Sequence, residues 1–230
     1  MTKSHALGKE LESLVGTGNN NIPVVNGIDI EKFKATPSLV DELKQNILFG
    51  KKFDLVIGTV GRLSHQKGQE FLLRAMPEII KVCPNSLLLV VGVGELENYL
   101  KNLASELGIG KYVIFVGYSN SIPELLSLMD LFVLPSRWEG FPNSIIEAMA
   151  MNVPVIATGV DGVTEALEDG VNGVFIEKED FASIVQCVKS YLDDRKTFIR
   201  RSQQAYTCVV QKYKIQNVVC QYEEIFKRFI

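Results

Sequence analysis

The sequence predicts an α/β protein, a doubly wound parallel sheet of six strands with extra helices at the C-terminus. Two observations carry this expectation. Short unbroken apolar runs recur between residues 54 and 176, as expected of strands buried on both faces. Stretches of helical spacing separate most of them, and alternation of this kind builds parallel sheets through right-handed crossovers.

The elements follow in order. Residues 54–60 form the first strand. Residues 68–82 form a helix, with Phe71, Leu72, Ala75, Ile79 and Ile80 on one face. Strand two is 86–92, followed by a helix over 95–107. Strand three is 112–116, followed by a short helix over 122–127. Strand four is 131–134, followed by a helix over 142–151. Residues 154–157 and 173–176 complete the six. Before this core, residues 1–21 hold one helical segment and a loop. Pro23 to Gly27 reads as a short strand ending in a turn, and 29–48 is polar with one weak helix. From Phe181 onward the chain is almost all helical. Its last segment, 215–230, places Val218, Val219, Tyr222, Ile225, Phe226 and Phe229 on one broad face.

Composition excludes several classes. The 230 residues suffice for a core without staples. A balance of 24 basic and 27 acidic residues gives a net charge of -3, so no basic field invites nucleic acid. Cys83, Cys187, Cys208 and Cys220 form no CxxC pair and read as reduced thiols. Two histidines, His5 and His65, make a zinc site improbable, and the metal expectation is none. No run spans a membrane and no signal-peptide core opens the chain. The expected location is cytoplasmic, with peripheral attachment at the inner face of the membrane left open for the complete enzyme.

Two loops carry the chemistry. In the commonest six-strand order, strands one and four are neighbours at the switch point, where ligands bind beyond the carboxyl ends. The loop after strand one holds Arg62 and Lys67, suited to a diphosphate. The alternative is solvated surface charge. The loop after strand four runs from Arg137 to Glu147 and carries Glu139 and Glu147. Pro142 suits the first helical position, which would leave the amides of Asn143, Ser144 and Ile145 pointing outward at an anion. Topology thus predicts that two cations and two acids meet in one crevice. Trp138 is equally suited to lining a pocket and to packing the loop, while His65 reads as a surface residue. Gly92-Val93-Gly94 lacks the third glycine of a dinucleotide fingerprint and reads as a tight turn.

Together these residues resemble the C-terminal half of family 4 retaining glycosyltransferases of the GT-B type (glycosyltransferase group 1). The matching blocks include Val25-Asn26-Gly27-Ile28-Asp29, Gly61-Arg62-Leu63-Ser64 with Lys67-Gly68, Phe115-Val116-Gly117, and Glu139-Gly140-Phe141 through Glu147-Ala148-Met149. The resemblance implies a Rossmann-like donor domain that needs no tightly bound cofactor or metal and takes a UDP- or GDP-sugar as substrate. Arg62 and Lys67 would neutralise the diphosphate. Glu139 would bind donor-sugar hydroxyls and Glu147 the ribose. Gly140 and Phe141 would present backbone near the sugar, and the Asn143 and Ser144 amides would meet the distal phosphate. The base would lie near Tyr118. The resemblance also implies domain limits. Residues 1–27 would be the remnant of an N-terminal acceptor domain and its linker, 28–214 the nucleotide-sugar domain, and 215–230 a helix crossing back to the N-terminal domain. The apolar face of that helix would then be exposed or buried in a neighbouring copy. Full transfer, in polysaccharide or glycolipid synthesis, would need a sugar or lipid-linked acceptor held elsewhere. The rival classes are a non-catalytic or split-enzyme subunit with a partner chain, and another GT-B-like enzyme such as an epimerase or a phosphorylase.

Overall fold

A computed structural model describes residues 25–227, so the expectations for residues 1–24 and for Phe229 lie outside the described residues. The sheet is six-stranded and parallel, in the order β3-β2-β1-β4-β5-β6. The strands are β1 Leu55–Val60, β2 Ser86–Val91, β3 Val113–Gly117, β4 Leu131–Leu134, β5 Val155–Thr158 and β6 Val174–Ile176. Each lies within a residue or two of the predicted run. The chain winds outward from β1 through β2 to β3, then returns to lay β4 on the other side of β1. Ile57 pairs with Leu131 and Gly58 with Phe132 across that seam.

The helices are α1 Pro37–Asn46, α2 Gln69–Val82, α3 Glu97–Glu106, α4 Ile122–Ser127, α5 Asn143–Ala150, α6 Asp161–Ala166, α7 Phe181–Asp193, α8 Arg195–Cys208 and α9 Ile215–Lys227. The short α6 has no counterpart in the predicted element list. A π-helical turn, Val209–Tyr213, links α8 to α9.

Strand periodicity explains the two layers. Successive side chains alternate faces. Leu55, Ile57, Leu88, Val90, Leu131, Val133 and Ile156 therefore form one core, with Leu72, Leu73 and Met76 of α2 and Ile184 and Val188 of α7. Val56, Leu87, Leu89, Phe132, Leu134, Val155 and Ala157 form the other, with Ile145 and Met149 of α5 and Ala205 of α8. Both faces are covered, so no strand shows the apolar-polar alternation of a one-sided sheet. Each fully buried leucine or isoleucine contributes about 1.5–3 kcal/mol of burial energy.

The C-terminal region corrects one expectation. Ile28 N–H donates to Tyr213 O at 2.8 Å, and Ile215 N–H donates to Ile28 O at 2.9 Å. These bonds bring α9 beside residues 25–28. Val218 and Ile225 are buried there against Val25 and Tyr222 rather than exposed. Val219 and Phe226 remain exposed, because they face away from that contact.

Candidate functional site

Gly68 joins the two predicted loops. It sits at φ 61 between a 3-10 turn, His65–Lys67, and the start of α2. A Cβ there would lie 2.2 Å from the Pro135 carbonyl oxygen, so only glycine allows the loop after β1 to touch the loop after β4. Hydrogen bonds close the seam. Arg137 N–H donates to Gln66 O at 2.8 Å, and Gln66 Nε2 donates to Trp138 O at 3.0 Å.

Arg137 ties this seam to α2. Its side chain donates to the His65 carbonyl at 2.6 Å, to Glu70 Oε1 at 2.7 Å and to Glu179. Its guanidinium lies 4.7 Å from the Phe71 ring centre, and the residue is only 8% exposed. Nothing in its sequence context distinguishes this buried clamp from a surface arginine. Trp138 is 52% exposed and tilts against the His65 ring at 5.9 Å, so its visible role is packing between the loops.

Lys67 and Glu139 meet as predicted. Lys67 Nζ lies 2.6 Å from Glu139 Oε1, with side chains 17% and 4% exposed. Ser136 Oγ donates to the same oxygen at 2.6 Å. The remaining pair is arranged differently. The Arg62 side chain is 75% exposed and pairs with Glu95 at 3.3 Å rather than with either predicted acid. Its backbone is the fixed part, since Gln69 Nε2 donates to Arg62 O at 2.9 Å. Arg62 still shares a cavity of about 590 Å³ with Glu147, Tyr118, Gly92 and Gly94. The crevice therefore has two stations, Lys67 with Glu139 and Arg62 across from Glu147.

The glycine pair of the loop after β2 belongs to this cavity wall. A Cβ at Gly92 would lie 2.0 Å from Gly61 O, and one at Gly94 would lie 2.2 Å from Leu63 O. Two backbones cross there at contact distance. The signal in the sequence was topological: β2 is the neighbour of β1, so its exit loop must border the switch point.

Helix α5 corrects the placement of Pro142. Proline is the N-cap at φ -83, ψ 91, and Asn143 is the first helical residue. The Ile145 amide is spent on Pro142 O at 3.0 Å. Only the Asn143 and Ser144 amides remain without an acceptor among the described residues. The Asn143 side chain accepts from Asn26 Nδ2 at 2.8 Å, which ties the N-terminal segment to the helix start. Phe141 packs its ring on Tyr213 at 5.7 Å, and the Glu139 carbonyl beside Gly140 accepts from Gly162 N–H at 3.3 Å. The loop backbone is thus held from below.

Glu147 lies one turn into α5. It also borders a second cavity, of about 390 Å³, with Asn26, Gly27, Asn143 and Tyr222. Its carboxylate has no hydrogen-bond or ion-pair partner among the described residues. Burial pushes its pKa above the ordinary carboxylate value. An unpaired acid between two cavities is an acceptor available to a ligand's hydroxyls.

A doubly wound sheet with loops converging at its switch point defines a Rossmann-like domain, here the C-terminal half of a GT-B fold. The chain belongs to the glycosyl transferases group 1 family, whose model matches residues 41–207. It is 35% identical over 175 residues to the UDP-Gal:alpha-D-GlcNAc-diphosphoundecaprenol alpha-1,3-galactosyltransferase of Escherichia coli, covering 75% of this chain and 45% of that one. The structure of Anabaena Alr3699/HepE in complex with UDP-glucose aligns with a TM-score of 0.89 at 26% identity, over 99% of this chain and 63% of that chain. The C-terminal domain of the group 1 protein LpcC from Francisella tularensis aligns with a TM-score of 0.71 at 28% identity, over 82% of this chain and all of that domain. The chain spans about half the length of the curated relatives it matches. No described helix is long and apolar enough to cross a membrane.

Proposed function

We propose that this chain binds a nucleotide-diphosphate sugar and serves as the donor half of a retaining, metal-independent glycosyltransferase of surface polysaccharide or glycolipid synthesis. The observation that carries it is the row of groups along the switch point: the Lys67–Glu139 pair, the two free amides opening α5, and unpaired Glu147. In this assignment Lys67 and Arg62 hold the diphosphate. Arg62 reaches it by exchanging Glu95 for phosphate, which its exposure permits. The Asn143 and Ser144 amides meet the distal phosphate with the α5 dipole behind them. Glu147 takes the ribose hydroxyls, Glu139 the sugar hydroxyls, and Tyr118 flanks the base. Gly140 and Phe141 hold the loop backbone beside the sugar.

The chemistry is electrostatic. Charge gathers on the diphosphate as the sugar bond breaks, and fixed donors stabilise it without reorganising. A departing phosphate oxygen then accepts the acceptor's proton, so Glu139 needs no role as a base. The acceptor is a sugar or lipid-linked sugar held by a separate N-terminal domain, and association of the complete enzyme with the inner face of the membrane is part of the same proposal. Support comes from relatives: the Anabaena protein is described with UDP-glucose, and the Escherichia coli one is named for UDP-Gal and a diphosphoundecaprenol acceptor.

The test is calorimetry of the chain with UDP, GDP and their glucose and mannose conjugates. Binding of one nucleotide family, weakened at least tenfold by Lys67→Ala and by Glu147→Ala, is the expected result. A folded chain that takes up none of these ligands would refute the proposal.

A further inference from the structure

Ser136 follows β4 by two residues and is fully buried. Its hydroxyl reaches three residues along the loop to donate to Glu139 Oε1 at 2.6 Å. Lys67 Nζ lies 2.6 Å from that same oxygen. No donor among the described residues reaches the other oxygen, Oε2. A carboxylate carries about four acceptor sites, so two are taken on Oε1 and the sites of Oε2 stand free. The Glu139 side chain is buried, and a carboxylate in such a place needs its partners to keep one orientation.

We infer that Ser136 is a positioning residue that locks the Glu139 carboxylate so that Oε2 is offered to the hydroxyls of the donor sugar. The inference rests on the donor-binding reading above. Lys67 cannot hold the acid alone in that reading, because a bound diphosphate competes for its ammonium. Ser136 has no competing partner, and an O–H donated to a charged oxygen at this distance belongs to the strong class of hydrogen bonds. Its influence therefore falls on the sugar portion of the ligand and leaves the nucleotide portion alone. A merely structural serine would affect both portions equally, through overall stability.

The experiment measures affinities of the wild-type chain and of Ser136→Ala for two probe pairs, UDP with UDP-glucose and GDP with GDP-mannose. The readout is the affinity for the nucleotide sugar divided by that for its free diphosphate. Ser136→Ala should lower this ratio at least fivefold while diphosphate affinity stays within twofold. Ser136→Cys, which keeps the side-chain shape in a slightly larger volume and has only a weak donor, should lower it as well and serves if the alanine variant folds poorly. A ratio unchanged in both variants, or an equal loss for both members of a pair, overturns the Ser136 assignment. A wild-type chain that binds neither pair overturns the donor-binding reading and the inference together.

Discussion

Replacing Arg137 with alanine should cost about 3 kcal/mol of folding stability, at the low end of what removing one partner of a buried ion pair costs. The structure supports that size. Arg137 is buried and makes three side-chain hydrogen bonds, to Glu70, Glu179 and the His65 carbonyl. Alanine strands Glu70, whose side chain is 17% exposed. Glu179 is half exposed, so its share follows the surface scale of about 0–1 kcal/mol. Glu70 keeps one bond, from the Tyr99 hydroxyl at 3.0 Å, which limits the loss. For a domain of this size 1 kcal/mol moves the melting temperature by about 2–4 °C, so a fall of about 6–12 °C is expected. A pH dependence accompanies it. Burial alone would raise the Glu70 pKa, but the bonds from Arg137 and Tyr99 outweigh burial and hold it below the ordinary value of 4.5. A depressed carboxylate stabilises the fold above its unfolded pKa, and that stability is lost as pH falls through the folded value. The gap between wild type and variant should be widest near pH 7 and narrow below pH 4.5. Urea denaturation followed by circular dichroism at each pH measures both quantities. A loss under 1 kcal/mol at pH 7, or a gap that stays constant into acid, would refute the clamp.

Glu147→Gln should raise the melting temperature of the ligand-free chain at neutral pH. A carboxylate whose folded pKa is raised by burial supports stability below its unfolded value and loses it as pH rises through the folded one, so the gain should vanish in acid. Thermal melts from pH 4 to 8 check this; an equal gain at every pH would contradict it. Gly68→Ala should destabilise by about 2 kcal/mol or more, since its Cβ meets Pro135 O and its φ is left-handed, a loss read by urea titration. With a thiol reagent on the native chain, exposed Cys220 should react first and Cys187 last, its pKa pushed up to about 12 by burial. Peptide mapping of the labelled protein tests that order.

Much of the fold was legible because buried strands announce themselves. Runs such as 86–91 are too apolar and too short to be anything else, and the switch point followed from the commonest topology. Lys67 and Glu139 were legible for the same reason, as residues on the exit loops of neighbouring strands. Arg62 was only partly so. Its chain position predicts the cavity it borders, but its long side chain is free to choose Glu95, and no local pattern decides between partners. Pro142 fell one residue outside the helix, since its ring suits the N-cap and the first turn alike. Arg137 and Ser136 were beyond reach. Arg137 depends on Glu70 and Glu179 arriving from 67 and 42 residues away, which no local pattern records. Ser136 meets Glu139 only three residues on, but its spacing alone does not say that the hydroxyl turns inward to the acid.

Trp138 is the single tryptophan of the chain, and it stands beside Glu139 with its ring against His65. The molecule therefore carries a native fluorophore at the junction of the loops after β1 and β4. Its emission will report displacement of either loop without any label.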